Sequence, residues 1–418
     1  MPERPDALQR LRNAHETAVL GELRRSGALS RGELIRRVGL SRTTLFAIVS
    51  DLLQRETVVE QHAAERQRGR GRPPTEITLN PRGAELIGIE IQRSRMHVVV
   101  ANAAHEIVGG LREPIPADAG PEKQAEAVVA AVDDLRRERR IALAPLKGIG
   151  LGLPGFVRDP ASADPRAMTP FAARVAAGLE GHFGVPVVTD NNARLAALAE
   201  VTWGAARGHD NLVYLRWSDG VGGGLVIDGR LVRGAHGTAG EIGHTSCDVQ
   251  GPPCHCGGRG CLEGVIRLPA LLARCDERGT AVRDTDELLS LAAGGDPVVR
   301  AVLSEAAVLA GRVLAALAAH TDPECIVIDG EPAALDEVLT TVREQVRTLS
   351  LPAAPRDITV GRSALGGDAA ARGAVALLLH SFGEDAEGLM PPPVPRFAPP
   401  VPGSAGPAAP VAVEGGRA

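Results

Sequence analysis

Aromatic side chains are scarce: the 418-residue chain holds six Phe, two Trp and one Tyr, 2% of its residues. A core must then be built from Ala, Val, Leu and Ile, which with the other apolar residues reach 44%, enough for a real interior. Lysine is almost absent, so arginine carries nearly all of the positive charge. No stretch approaches the roughly 18 uninterrupted apolar residues of a membrane span, and the opening MPERPDALQRLRNAHE lacks the apolar centre of a secretory signal. A cytoplasmic protein with no membrane partner is expected. In that reducing compartment six cysteines do not read as a disulfide framework, least of all with three of them inside eight positions. Metal is the better expectation.

The length suits two or three domains, and charge is divided unevenly along it. Residues 1–82 hold 15 Arg against 10 Asp and Glu, whereas the remainder holds 31 basic against 41 acidic groups. A basic head on an acidic body suits a nucleic-acid-binding module fused to a small-molecule domain.

In the head, Val19, Leu20 and Leu23 share one face of a first helix over 13–26. Ser30 caps a second, with Glu33 at the capping-box position. Gly39 turns the chain, and Ser41 caps a third helix whose Leu45, Ile48, Val49, Leu52 and Leu53 repeat at helical spacing. Strands at 57–59 and 76–79 flank a basic loop, making a wing. This is a winged helix-turn-helix pattern, in which the start of the third helix meets double-stranded DNA. Ser41, Arg42, Thr43 and Thr44 are the expected contacts there, since hydroxyls bond phosphates and Arg reads guanine bidentately. Arg68, Arg70 and Arg72 on the Gly-containing loop can reach a minor groove, although arginines also serve simply to solvate a wing. A three-helix interaction domain that never meets DNA is the alternative; the capped helix, the Gly turn and the basic wing together argue against it.

From Glu85 the texture becomes alternating strands and helices, an α/β body with two lobes. The expected division is a head at 1–82, a body at 83–383 and a Pro, Ala and Gly-rich tail at 384–418 that cannot build a core. Within the body, His244, Cys254, Cys256 and Cys261 offer three thiolates and one imidazole, the donor set of a closed structural zinc site in a loop at 244–261. His255 and Cys247 are spare donors.

These motifs carry a resemblance. GLGLPGFV at 150–157, DNNARLAALAE at 190–200, DGVGGGLVIDGRLVRG at 219–234, and above all GEIGH at 240–244 with CHCGGRGCLE at 254–263 resemble the ROK family (repressor, open reading frame, kinase), in its subclass with an N-terminal winged helix-turn-helix. The resemblance spans about 13–380. It implies an actin-like ATPase fold of two lobes around a cleft, and a sugar held by Glu241, His244 and Glu263 near Gly155, Asn191 and Asn192. Carboxylates and imidazole suit paired hydroxyls. Glu241 and Glu263 as mere supports of a zinc ligand is the other reading.

The chain departs from the family's kinases at four places. Ungapped from Glu200, Asn192 takes the position of the kinase's catalytic Asp, and an amide is no general base. A two-residue shift would put Asp190 there instead. The first phosphate loop reads Glu90-Ile91-Gln92-Arg93-Ser94, with no Gly. The second reads Ser218-Asp219-Gly220, and the adenosine-side pair reads Asp329-Gly330. The head differs as well, with Phe46 and Ala47 where the subclass often has Ser-Arg. The expectation is a repressor without enzyme activity, a homodimer or homotetramer whose grip on operator DNA answers to a sugar or sugar phosphate. An active ROK sugar kinase carrying a DNA-binding head is the alternative.

Overall fold

The computed structural model describes residues 7–55, 57–62, 75–80, 85–102, 106–116, 119–139, 146–158, 167–351 and 358–384. The loop with Arg68, Arg70 and Arg72, the expected boundary near 82 and the tail beyond 384 lie outside the described residues.

Three helices, Ala7–Ser26, Arg31–Val38 and Arg42–Gln54, enclose Val19, Leu23, Leu34, Leu45, Ile48, Val49 and Leu52. The capping box is complete: Glu33 N–H donates to Ser30 Oγ, and Ser30 N–H donates to Glu33 Oε2 at 2.9 Å. Gly39, at φ 70°, closes the second helix in the left-handed conformation that a side chain resists. Strands Val58–His62 and Thr75–Leu79 pair antiparallel from Val58 with Leu79 to His62 with Thr75. A third strand, Leu29–Ser30, joins the other edge of Thr75–Leu79 and completes the sheet of a winged helix. Two residues are too few to carry an alternating pattern, so that strand is invisible in the sequence. The first helix also begins earlier than 13, at Ala7.

The body contains two five-stranded sheets built to one plan. In the first, Ile107–Pro114, Arg95–Asn102 and Glu85–Ile91 run antiparallel in turn, then Leu146–Leu153 and Val187–Asn191 add in parallel. In the second, Arg230–Leu231, Val221–Ile227 and Leu212–Trp217 run antiparallel, then Cys325–Asp329 and Thr359–Arg362 add in parallel. Each sheet therefore has three antiparallel strands followed by two parallel ones, the repeated unit of a two-lobed actin-like body.

Helices Pro121–Arg139 and Pro170–Phe183 cover the outer face of the first sheet, with Val128, Val132, Leu135, Val175 and Leu179 against Ile87, Ile89 and Ile91. Pro297–Thr321 and Asp336–Leu349 cover the outer face of the second. Pro297–Thr321 is long and apolar enough to cross a membrane, yet it is packed into this core with eleven residues buried.

Two helices lie between the sheets. Ala369–Glu384 packs Ala371, Val375 and Leu378 on the first sheet, and Asn192–Trp203 packs Ala193, Ala196 and Ala197 on the second. They meet each other through Leu195, Leu198, Ala374 and Leu377. At Gly373 the approach is closest: a Cβ there would overlap the carbonyl of Leu195. The first helix of the head also comes alongside Ala369–Glu384. Gly373→Ala should therefore push these helices apart and cost about 1–3 kcal/mol by overpacking. A urea titration showing wild-type stability would remove this contact from the lobe interface.

Candidate functional site

The loop that follows the second sheet's hairpin brings His244, Cys254, Cys256 and Cys261 together, their donor atoms all within 4.8 Å of one another. Backbone turns do the folding: Gly257 N–H donates to the Cys254 carbonyl, Cys254 N–H to the Gly258 carbonyl and Leu262 N–H to the Thr245 carbonyl. Cys256 Sγ and Cys261 Sγ are 3.7 Å apart, and Cys254 Sγ lies 3.6 Å from His244 Nδ1. With metal–sulfur bonds near 2.3 Å and metal–nitrogen bonds near 2.0–2.1 Å, the edges of a tetrahedron are about 3.8 Å and about 3.6 Å. The four residues fit a tetrahedral metal ion on these edges. His244 offers Nδ1 to the cluster, while its Nε2 faces Glu263 Oε2 at 3.8 Å. Burial pushes the His244 imidazole below its ordinary pKa, although Glu263 opposes this, so it is held in the neutral form that binds metal. Cys247 instead donates to the Thr245 carbonyl, and His255 is exposed, 4.0 Å from Glu263.

The cleft begins at the other side of His244. Phe156, on the turn after Leu146–Leu153, stacks on its ring with centroids 6.2 Å apart and planes at 25°. The neighbouring Gly155 is exposed at φ 71°, and its carbonyl accepts from Asn191 Nδ2 at 2.8 Å. Asn191 Oδ1 accepts from the N–H groups of Ala193 and Arg194, capping Asn192–Trp203. Asn192 is turned inward: only 6% exposed, it donates Nδ2 to the Ile91 carbonyl, and its Oδ1 lies against Gly152. Hydrogen bonding and stacking thus link Gly155 to Asn191 and Phe156 to His244, His244 Nε2 faces Glu263, and the Asn192 amide is buried against the first sheet.

Two arginines that sequence reasoning passed over organise this cleft. Arg194 is 1% exposed, and its Nε donates to Asp190 Oδ1 at 2.6 Å. Its Nη1 reaches the Gly237 carbonyl at 2.6 Å and lies 3.8 Å from Glu241 Oε1. Arg233 Nε takes the other oxygen of Asp190 at 2.7 Å. Burial by itself would raise the Asp190 carboxyl, but the two guanidiniums and the Asn191 N–H more than reverse this and hold it below its ordinary value. An Asp with both oxygens bound to guanidiniums has no free basicity for a sugar hydroxyl. Glu241 behaves oppositely, its carboxyl raised by burial and by the nearby Glu263 against the pull of Arg194. The sequence signal was present: Asp190 and Arg194 are four apart, though surface pairs share that spacing.

Between the two sheets, Glu90 is 1% exposed and accepts from Gln92 Nε2 at 2.9 Å and from Arg216 Nη1 at 3.0 Å. Arg216 belongs to the second sheet, so this ion pair joins the lobes. Burial works against the Arg216 charge, yet Glu90 holds its pKa above the ordinary value. Next to it, Tyr214 donates to Asp329 Oδ2 at 2.9 Å. Residues 218–220 form the tight turn of the hairpin between Trp217 and Val221. In the head, Arg42 and Thr43 are exposed at the start of the third helix, while the Ser41 hydroxyl accepts from Thr44 N–H as the cap.

Removing the Asp190 charge leaves two guanidiniums without their partner, so Asp190→Asn should destabilise the fold by about 3–5 kcal/mol. Because the folded pKa lies below the unfolded one, the stabilisation is complete above the ordinary carboxyl range near pH 4 and is lost as pH falls through the folded value. Denaturant titrations between pH 2 and 6 check both parts; an acid limb equally steep in wild type and variant would count against the pairing.

A xylose repressor of Caldicellulosiruptor bescii is 27% identical over 397 residues, covering 89% of this chain and 97% of its own length. A solved ROK family transcriptional regulator, a homolog of the E. coli MLC protein, aligns with a TM-score of 0.72 at 24% identity, over 89% of this chain and 97% of that one. A ROK hexokinase from Thermus thermophilus aligns with a TM-score of 0.60 at 30% identity, over 70% of this chain and 97% of its own. The hexokinase covers a smaller share of this chain than the regulator does. The ROK family pattern matches residues 86–381, a stretch that holds both lobes, the Cys and His cluster and the cleft, and the chain belongs to the ROK family.

Proposed function

We propose that this chain is a transcriptional repressor that binds operator DNA through its head, residues 1–82, and senses a sugar or sugar phosphate in the cleft of its body, residues 83–383. The single observation that carries this reading is a winged head, with Arg42 and Thr43 exposed at the start of its third helix, joined to a body of the ROK family. In that body the segment Glu90 to Ser94, which the family resemblance makes the first phosphate loop, has no Gly to let backbone amides approach a phosphate, and Glu90 is engaged by Arg216. The sugar side keeps its polar groups, Glu241, His244 and Glu263, while Asn192 stands at the kinase's base position and the alternative base, Asp190, is bound to two arginines. The body therefore has what recognition of hydroxyls requires and lacks what phosphoryl transfer requires. The similarity to a xylose repressor along nearly its whole length supports the same conclusion, and it puts pentoses on the panel of candidate effectors.

Zinc is the metal that the three thiolates and one imidazole suit, and when bound it would hold the loop that carries His244 and Glu263 to the cleft. Ser41, Arg42, Thr43 and Thr44 are the head's contacts with DNA, joined by Arg68, Arg70 and Arg72 on the wing. Two copies suit a helix-turn-helix that reads a palindrome, and a dimer or tetramer in the cytoplasm follows from that role.

Three measurements test the proposal. Gel-shift titration should show sequence-specific binding that Arg42→Ala weakens by roughly 1–3 kcal/mol; equal affinity in the variant removes the helix from the interface. Elemental analysis should find one zinc per chain, and Cys256→Ser should lose it together with loop order; a metal-free, fully stable wild type rejects the site. ATP with a panel of hexoses and pentoses should give no turnover, and turnover would favour the alternative of a working sugar kinase with a DNA-binding head.

A further inference from the structure

The third helix of the head carries an aromatic ring on its open side. Leu45, Ile48, Val49 and Leu52 form its buried face, and Thr43, Phe46, Ala47 and Ser50 are exposed. Phe46 is 41% exposed in a chain that has only nine aromatic residues. Its surroundings are cationic. The Arg42 guanidinium lies over the ring at 5.3 Å from the centroid, and that of Arg31 at 5.4 Å. Arg31 is itself anchored, its Nη2 donating to Glu60 Oε1 in the wing strand at 2.5 Å. The ring is thus oriented by two guanidiniums, one from its own helix and one tied to the wing, and not by the core.

We propose that Phe46 reads thymine, its ring resting on the C5-methyl group of a thymine in the major groove beside the guanine that Arg42 reads. The inference rests on the reading of the head as a DNA-binding module. A phenyl ring offers no hydrogen bond to a phosphate or to a base edge, so at this position it can recognise only an apolar feature. In the major groove that feature is the thymine methyl. Arg42 and Phe46 are one helical turn apart on the same side, the guanidinium carbon 5.3 Å from the ring centroid. The guanine and thymine they read therefore lie within a base pair or two of each other. Ala47, next along, is short enough to let the ring approach. A protein partner for the exposed ring is the competing occupant, and it predicts no effect on DNA recognition.

The test starts from full-length protein and a pool of random-sequence duplexes, from which the operator is selected. Each thymine of the selected operator is then replaced singly by deoxyuridine, which removes only the methyl group. The wild-type chain should lose about fourfold in affinity at one thymine per half-site, the value of one buried methyl-sized group, and that thymine should neighbour the guanine whose preference disappears in Arg42→Ala. Phe46→Ala should lose a similar factor on the thymine operator and bind thymine and uracil versions equally. The uracil scan of the unaltered chain needs no variant to fold, and circular dichroism checks that Phe46→Ala does. No sensitivity at any thymine, or sensitivity that persists in Phe46→Ala, overturns the inference while leaving DNA binding intact. A wild-type chain that selects no sequence at all overturns the reading of the head, and the inference with it.

Discussion

The cleft depends on one buried carboxylate. Asp190 sits at the end of a strand of the first sheet, and its two oxygens hold arginines from two other elements: Arg194 from the helix between the lobes and Arg233 from beyond the second sheet's hairpin. A charge taken out of water survives only with such partners, since an isolated buried carboxylate costs several kcal/mol and protonates instead. Satisfying Asp190 therefore fixes three segments relative to one another. Arg194 extends the fixation to a fourth through the carbonyls of Gly237 and Ala239, just ahead of Glu241 and His244. The same charge therefore sets the positions of Arg194 and, through it, of the segment that leads to Glu241 and His244.

A second buried pair divides the cleft into unequal halves. Glu90 and Arg216 lie on different sheets, so the pair acts between lobes as Asp190 acts within the wall. Here the protein supplies both charges itself. The attraction that joins the two sheets at this point is thus supplied by residues of the chain.

Much of this architecture was legible in the sequence, and the misses have physical causes. Ser30 with Glu33, the Gly39 turn and the apolar spacing of Leu45, Ile48, Val49 and Leu52 announced the head because local rules determine helix starts and stops. The His244, Cys254, Cys256 and Cys261 set stood out because those residue types rarely cluster for any other reason. The helix Ala369–Glu384 did not stand out. Buried between two sheets, it is apolar around most of its circumference, so it has no polar face to set a period. Strand Ile107–Pro114 was missed since it lies at the sheet's edge, with alternate positions half-buried and exposed. Arg194 and Arg216 read as ordinary basic residues, because what distinguishes them is a partner distant in the chain or a burial that only the packed lobes create. The inward turn of Asn192 was illegible for the same reason: alignment assigns it a position, but the Ile91 carbonyl decides where its amide points.

The two buried helices supply what a switch needs beyond a ligand site. A ligand shifts a conformational equilibrium only by the difference in its affinity for the two states, so the cleft must be connected to something that can move. Asn192–Trp203 has its capped end in the cleft at Asn191 and its length against Ala369–Glu384, which in turn meets the first helix of the head. The two helices approach backbone against backbone at Gly373 and Leu195, and Leu198, Ala374 and Leu377 pack around that point. A displacement of the capped helix would therefore press on Ala369–Glu384. Side chains further along the same path tie it to the second sheet, because Glu200 accepts from Ser363 Oγ and from the N–H groups of Ala205 and Leu365. A helix anchored at both ends in this way has few positions open to it.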